Sequence, residues 1–193
     1  MNPRERDALP VIAYRLRAVA VGHLALTYTL SWDVVPAIRV FFDDKEVMDG
    51  AASGFTSPVI EAALIHCRAL LEFLGLRSAG VAGLASRAGS KSDDVVIEDY
   101  FIDGRHLEKV TPEQALAGYT GGKAEAEEAL WYVLHTTNKA LAHTTSEFRK
   151  SDRASVLLEI AFRGVLKLME HYFYRPLAIE VPAYAVTGRK RVA

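Results

Sequence analysis

Cysteine is almost missing from this sequence, and so is any excess of basic charge. The one thiol, Cys67, excludes an internal disulfide and a zinc site built from several cysteines. The 23 lysines and arginines are matched by 24 acidic residues, which leaves a net charge of −1. A protein that binds nucleic acid without sequence preference usually has a clear basic surplus, so any contact with RNA must come from a local patch.

Long hydrophobic segments are also lacking. The longest uncharged apolar run, Ala18 to Trp32, is interrupted by Gly22 and His23. It is shorter than the roughly 20 apolar residues that a membrane-spanning helix needs, so we expect no contact with a membrane. The N-terminus mixes acidic and basic residues before any apolar stretch, which is unlike a secretory signal. A cytoplasmic protein is therefore expected.

Helical periodicity is the strongest pattern that the chain does contain. Half of the residues are hydrophobic and 24% are charged, which is typical of one globular domain spanning 1–193. Apolar residues at helical spacing predict long helices over Ser57–Leu74, Lys123–His143 and Ser151–Tyr174. A capping box at Thr111–Gln114 predicts a further short helix. The expected fold is mainly α, an antiparallel helical bundle.

Two segments outside this core favour strands, which makes the expected class α+β. In LALTYTLSW, within 11–42, large and small residues alternate with a period of two. This pattern predicts an N-terminal β-hairpin or meander, although the run is apolar almost all round and a long helix stays open. Near the C-terminus, the alternation of Leu177, Ile179 and Val181 predicts an edge strand within 175–193, followed by a basic tail.

Metal ligands are not found at useful spacings. The segment Asp93–Gly104 carries five acidic residues, and carboxylates bind hard cations, but their spacing matches no calcium loop. A short helix with a solvated acidic face is expected there. His66, Cys67 and His135 include no pair three or four residues apart on one helix. We therefore expect neither a metal nor a cofactor.

One stripe of the helix Lys123–His143 has the residues of a catalytic site. At 100° per residue, Tyr132, Thr136, Lys139 and His143 fall on one line, while Asn138 lies about 140° away from His143. A histidine can move a proton to or from a ribose oxygen, and a nearby cation can stabilise charge on a phosphate. The alternative is that His143 ends the helix, favoured by its dipole, with Lys139 in solvent.

Three segments together resemble the HEPN superfamily: SPVIEAALIHCRALLEFLG, then DDVVIEDYF, then NKALAH before another long helix. The resemblance covers roughly 57–174. HEPN domains are small and helical; many are metal-independent ribonucleases of toxin–antitoxin and defence systems, and others are non-catalytic. The resemblance implies an RNA-directed domain, a homodimer whose two copies form the site, and an antitoxin-like protein partner.

The catalytic mark of that family is an arginine followed, four to six residues later, by a histidine on the same helix. His143 resembles the histidine, but 136–138 carry no arginine. The resemblance then implies Lys139 or Arg68 as the cations that face phosphate. Tyr132, Thr136 and Asn138 are the expected RNA-contacting residues. Arg68 has a plainer interpretation as well, a surface ion pair with Glu72 one helical turn away.

Two other functions stay open from the sequence alone. One is a non-catalytic helical module that dimerises or holds a partner protein through exposed apolar surface. The other is a small-molecule pocket between sheet and helices, lined by Trp32 and Trp131. An RNA site requires Arg68, Lys139 and His143 in one cleft, and this requirement separates it from both alternatives.

Overall fold

Helices account for most of the fold. The computed structural model describes residues 3–80, 83–91, 93–119, 121–139 and 153–183, with the backbone alone at 3–6 and 138–139. The helices in this part of the chain are α1 (Pro3–Leu30), α2 (Ser53–Phe73), α3 (Pro112–Ala117), α4 (Lys123–Lys139) and α5 (Ala154–Met169), the last continuing into a π-helical turn, Glu170–Tyr174. The mainly α class is confirmed.

Short antiparallel strand pairs connect the helices. The pairs are β1 (Ala37–Phe42) with β2 (Lys45–Ala51), β3 (Leu76–Ser78) with β4 (Leu84–Ser86), and β5 (Phe101–Ile102) with β6 (Arg105–His106). Asp103 and Gly104, between β5 and β6, both have positive φ angles, of 51° and 77°. A two-residue hairpin turn of type I′ requires this geometry, and Asp-Gly is among its favoured sequences.

The predicted N-terminal strands are wrong over most of 11–42, because residues 3–30 form α1. The helix buries Ile12, Leu16, Val19 and Leu26, which recur at helical spacing. The threonine hydroxyls that suggested a polar strand face donate instead to carbonyls four residues back, as Thr29 does to Ala25 at 2.9 Å. Of the predicted segment, only 37–42 is a strand, and its hairpin partner β2 follows it.

Helices α1 and α2 run antiparallel and touch closely. Thr29 meets Thr56 near one end, where the hydroxyl oxygens are 3.2 Å apart, and Arg15 meets His66 nearer the other. Between these contacts Gly22 packs directly against Ala63. A residue without a side chain is needed here because a Cβ on Gly22 would overlap the Cβ of Ala63.

An aromatic cluster joins α2 to the end of α5. The rings of Phe73, Tyr100 and Phe173 meet edge to face, with centroids 4.8 to 6.0 Å apart. Tyr100 and Phe173 are completely buried. The acidic segment before Tyr100 forms a single 3₁₀ turn, Ile97–Asp99, rather than the expected short helix, because Val96, Ile97 and Tyr100 all point into the core.

Two further boundaries differ from expectation. Helix α2 begins at Ser53, one turn before the expected Ser57, so Pro58 lies inside it. The expected C-terminal edge strand is not found in 175–183, where the chain makes turns and Ala178 has a φ of 52°. Pro176 and Pro182 remove backbone donors from this segment, which explains why it pairs with no strand there. Residues 184–193 lie outside the described part.

Helix α1 also meets the length and composition of a membrane span. Asp7–Leu30 has 24 residues, and its most apolar 18-residue stretch has a mean hydropathy of 1.3. The core helix of a soluble protein and a signal sequence near the N-terminus both have these properties, so a single such helix does not establish a membrane span. About a third of the most apolar stretch, 33%, is buried inside the fold.

Candidate functional site

The predicted catalytic stripe on α4 is only partly within the described residues. His143 lies outside them, and Asn138 and Lys139 continue the helical backbone of α4 without described side chains. Thr136 is buried, with 8% of its surface exposed, and Tyr132 is half-buried against the core. Thr136 therefore offers little surface to a ligand within the single chain, and the roles of Lys139 and His143 stay predictions.

Arg68 forms the surface ion pair with Glu72 that the sequence offered as the alternative to an RNA contact. Its Nε donates to Oε1 of Glu72 at 2.9 Å, one turn along α2, and both side chains remain partly in solvent. Such a pair stabilises a helix by about 0.3–0.5 kcal/mol. Because the contact uses the Nε donor, it leaves the other N–H groups of the guanidinium for further contacts.

Arg68 also lines a large cleft that we call the arginine cleft. It lies between the first turns of α1, the end of α2 and the segment 87–96, with a volume of ≈ 910 Å³. Its charged lining residues are the cations Arg15, Arg68, Arg77, Arg87 and Lys91 and the acids Glu72, Asp93 and Asp94. As far as the chain is described, α4 contributes no residue to this lining, so the cleft brings Arg68 together with other arginines and not with Tyr132 or Thr136.

Arg87 is a largely buried charge of the cleft. Its side chain is 13% exposed, and its Nη2 donates to Oε2 of Glu98 at 3.0 Å. Its Nε is fully buried and forms no hydrogen bond within the described residues. The backbone of Arg87 is fixed as well, because its N–H donates to the carbonyl of Gly75 and its carbonyl accepts from Lys109. A guanidinium stays charged when buried, so this charge needs nearby anions.

Glu98 balances two cations at once. Its Oε1 lies 3.4 Å from Nζ of Lys109, while its Oε2 accepts from Arg87. One carboxylate therefore faces two positive groups beside the cleft.

Arg15 of α1 contacts His66 on the neighbouring helix α2. Its Nη1 lies 3.3 Å from Nδ1 of His66, and the ring of Tyr14 meets the imidazole edge to face. Burial, and then the positive charge of Arg15, lower the pKa of His66. A neutral ring that accepts at Nδ1 carries its proton on Nε2, so His66 is a hydrogen-bond donor and a poor base.

The remaining candidate residues, among them Cys67, Trp131 and His135, make contacts that hold the fold together. Burial raises the pKa of the Cys67 thiol, whose sulfur lies 3.9 Å from the carbonyl of Ala161. The indole of Trp131 donates to Gly80 at 2.6 Å and stacks on His135. Neither Trp131 nor Trp32 lines the arginine cleft. Among the residues that the structure describes, no three side chains of His, Cys, Asp or Glu are arranged to hold a metal ion.

No family model, curated protein or solved structure matches this chain. The geometry of its charged residues is therefore the strongest guide to function. Sequence reasoning identified Arg68 but missed Arg77 and Arg87, because each arginine stands alone in its own segment and has no local signature. Only the fold places them around one cavity.

Proposed function

We propose that this chain is a cytoplasmic, RNA-directed domain of the HEPN type that holds RNA phosphates in the arginine cleft. The observation that carries the proposal is the gathering of five cations around one cavity of ≈ 910 Å³ in a chain of net charge −1. These cations outnumber the three acids that line the cleft, and a concave surface with such an excess concentrates the opposite charge. Guanidinium groups match phosphate oxygens in pairs, which favours arginine at such a surface.

Two of the three acids that line the cleft, Glu72 and Asp94, are engaged by its own cations or backbone. Glu72 accepts from Arg68, and Asp94 accepts the backbone N–H of Lys91 at 2.9 Å. The hydrogen bond of Arg77 runs from its Nε to the carbonyl of Ser86. Because each guanidinium has five donors, these contacts leave N–H groups for phosphate.

The catalytic part of the proposal rests on the resemblance of NKALAH to the HEPN motif. His143 is the proposed acid or base and Lys139 the proposed cation beside the phosphate, with Tyr132, Thr136 and Asn138 near the RNA. The helices form the antiparallel bundle of that family, a second copy completes the site, and an antitoxin-like protein is the expected partner. The missing arginine at 136–138 makes binding with weak or no cleavage the expected activity.

Cleavage is tested with a mixed RNA pool in EDTA, comparing the natural chain with His143→Ala at matched circular dichroism. Cleavage by the natural chain alone would support a metal-independent ribonuclease that uses His143. Equal cleavage by both would remove His143 from the mechanism. Absence of cleavage in both would restrict the proposal to binding.

Binding is tested separately, by fluorescence anisotropy of a labelled single-stranded RNA at several salt concentrations. Arg77→Ala and Lys91→Ala remove exposed cations of the cleft, and Lys45→Ala removes an exposed cation of the β1–β2 hairpin as a matched control. Each lost phosphate contact should weaken binding and flatten the slope of log affinity against log salt by about 0.7. If the cleft variants bind like Lys45→Ala, RNA does not occupy the cleft.

A second function is favoured by one surface feature. Val34, Phe41, Phe42 and Val47 are exposed on or beside the β1–β2 hairpin, Phe42 by 70%. Grouped apolar residues of this kind mark protein–protein contacts, so a dimerisation module is the alternative. Sedimentation of Phe42→Ser, with Val156→Ser on α5 as the control, tests it. A dimer lost in Phe42→Ser alone supports this function, and a natural chain that stays monomeric refutes it.

A further inference from the structure

A second cavity lies between α3, α4, α5 and the π-helical turn. We call it the α5 pocket; its volume is ≈ 590 Å³, within the range typical of small-molecule sites. Its apolar lining residues, most of them buried, include Ala115, Ala126, Leu130, Ile160 and Leu168. Burial of the apolar part of a small ligand against this lining would favour its binding.

Basic residues recur every four positions along one side of this pocket. The four that line it are Arg163, Lys167, His171 and Arg175. Two of them are paired, Arg163 with Glu159 at 3.4 Å and Arg175 with Glu170 at 2.6 Å. Lys167 forms no ion pair with any residue that the structure describes. One unbalanced cation therefore stands beside an apolar cavity.

Tyrosines also line the pocket. Tyr119 and Tyr172 both line it, and the hydroxyl of Tyr172 donates to the carbonyl of Gln114 at 3.2 Å, which restricts the ring. Gly164 keeps the cavity open in the middle of α5, where a Cβ would lie 3.9 Å from Cδ2 of Leu130. The pocket thus combines a buried apolar lining, two tyrosines and an exposed lysine without an ion pair among the described residues.

We propose that the α5 pocket binds a small organic anion, whose aromatic or aliphatic body lies on the apolar lining and whose acidic group pairs with Lys167. The pocket shares no lining residue with the arginine cleft, so the inference does not depend on RNA binding. A carboxylate and a phosphate monoester both have the required chemistry. The size of the cavity excludes neither, and the test separates them.

The first measurement compares two probes that share a ring system. Anilinonaphthalene sulfonate carries a negative charge, whereas N-phenyl-1-naphthylamine is neutral. Both are titrated into the full chain and followed by fluorescence and calorimetry. We expect one sulfonate per chain, bound at least about tenfold more tightly than the neutral probe, because a charge-assisted hydrogen bond contributes at least that factor. Equal affinities, or several sulfonates per chain, would overturn the proposal.

Charge reversal then locates the site. Lys167→Glu should weaken sulfonate binding at least about tenfold and leave the neutral probe unchanged, with Lys167→Ala intermediate. Lys123→Ala, at the exposed start of α4, is the matched control. Displacement of the sulfonate by phenyl phosphate or by benzoate identifies the preferred acidic group. Binding that resists both competitors, or that survives Lys167→Glu intact, would show that the pocket is not the site.

Discussion

The contact between α1 and α2 makes Gly22→Ala a sharp test of the fold. A Cβ on Gly22 would lie less than 3.0 Å from the Cβ of Ala63 and 3.5 Å from the carbonyl oxygen of Val59. Ala63 is completely buried, and its Cβ is attached directly to the helical backbone, so it cannot move aside by a side-chain rotation. The two helices must therefore move apart to admit the methyl group.

The expected size of the effect follows from two opposing contributions. Overpacking of a core typically costs about 1–3 kcal/mol, while replacing glycine by alanine in a helix returns about 0.5–1 kcal/mol. The free energy of unfolding should thus fall by about 1–2 kcal/mol, and Tm by about 2–8 °C for a chain of this size. Gly164→Ala is the matched control, because its nearest new contact is an ordinary 3.9 Å. It should raise the free energy of unfolding by about 0.5–1 kcal/mol.

Urea unfolding followed by circular dichroism measures both changes. Adding Ala63→Gly to Gly22→Ala should restore part of the lost stability, although Ala63→Gly alone destabilises the natural chain by about 1 kcal/mol. The reasoning is refuted if Gly22→Ala and Gly164→Ala shift the midpoint in the same direction by similar amounts. It is also refuted if the double variant shows no coupling.

Three other predictions concern single side chains. Burial raises the pKa of Cys67, so a thiol reagent should label the native chain far more slowly than the urea-unfolded chain; equal rates would contradict its position. Burial and the charge of Arg15 lower the pKa of His66 in the folded chain below its unfolded value of 6.5. The fold therefore favours the neutral imidazole, and this contribution to stability is present above pH 6.5 and is lost as the pH falls below 6.5. His66→Gln should therefore lose less stability than the natural chain between about pH 7.5 and about pH 5, measured by urea midpoints; an identical loss would contradict this. Thr111 accepts from the backbone of Gln114 at 3.2 Å, so Thr111→Ala should lower the free energy of unfolding by about 1 kcal/mol and Thr111→Ser by much less, as urea unfolding can show.

Local patterns predicted the elements whose signals are local. The capping box at Thr111 is present with both of its hydrogen bonds. Helices α4 and α5 lie within the predicted ranges, since their apolar residues repeat at a spacing that a strand cannot bury on one face. The prediction failed over 11–30 because a segment apolar on nearly every side satisfies a period of two and a period of 3.6 equally well.

The sequence by itself determined that the chain is mainly helical, where α3 and α4 begin, and that Cys67 is buried. It also contains the regular spacing of basic residues along α5 and the turn after it, a signal that sequence reasoning could have used. Only the tertiary structure decided that residues 3–30 are a helix, because packing against α2 and α5 resolves an ambiguous pattern. The arginine cleft likewise exists only in the fold. It brings together Arg15, Arg68 and Arg87 from separate segments of the chain. The interaction between charges depends on their distance in space, and packing between remote segments sets that distance.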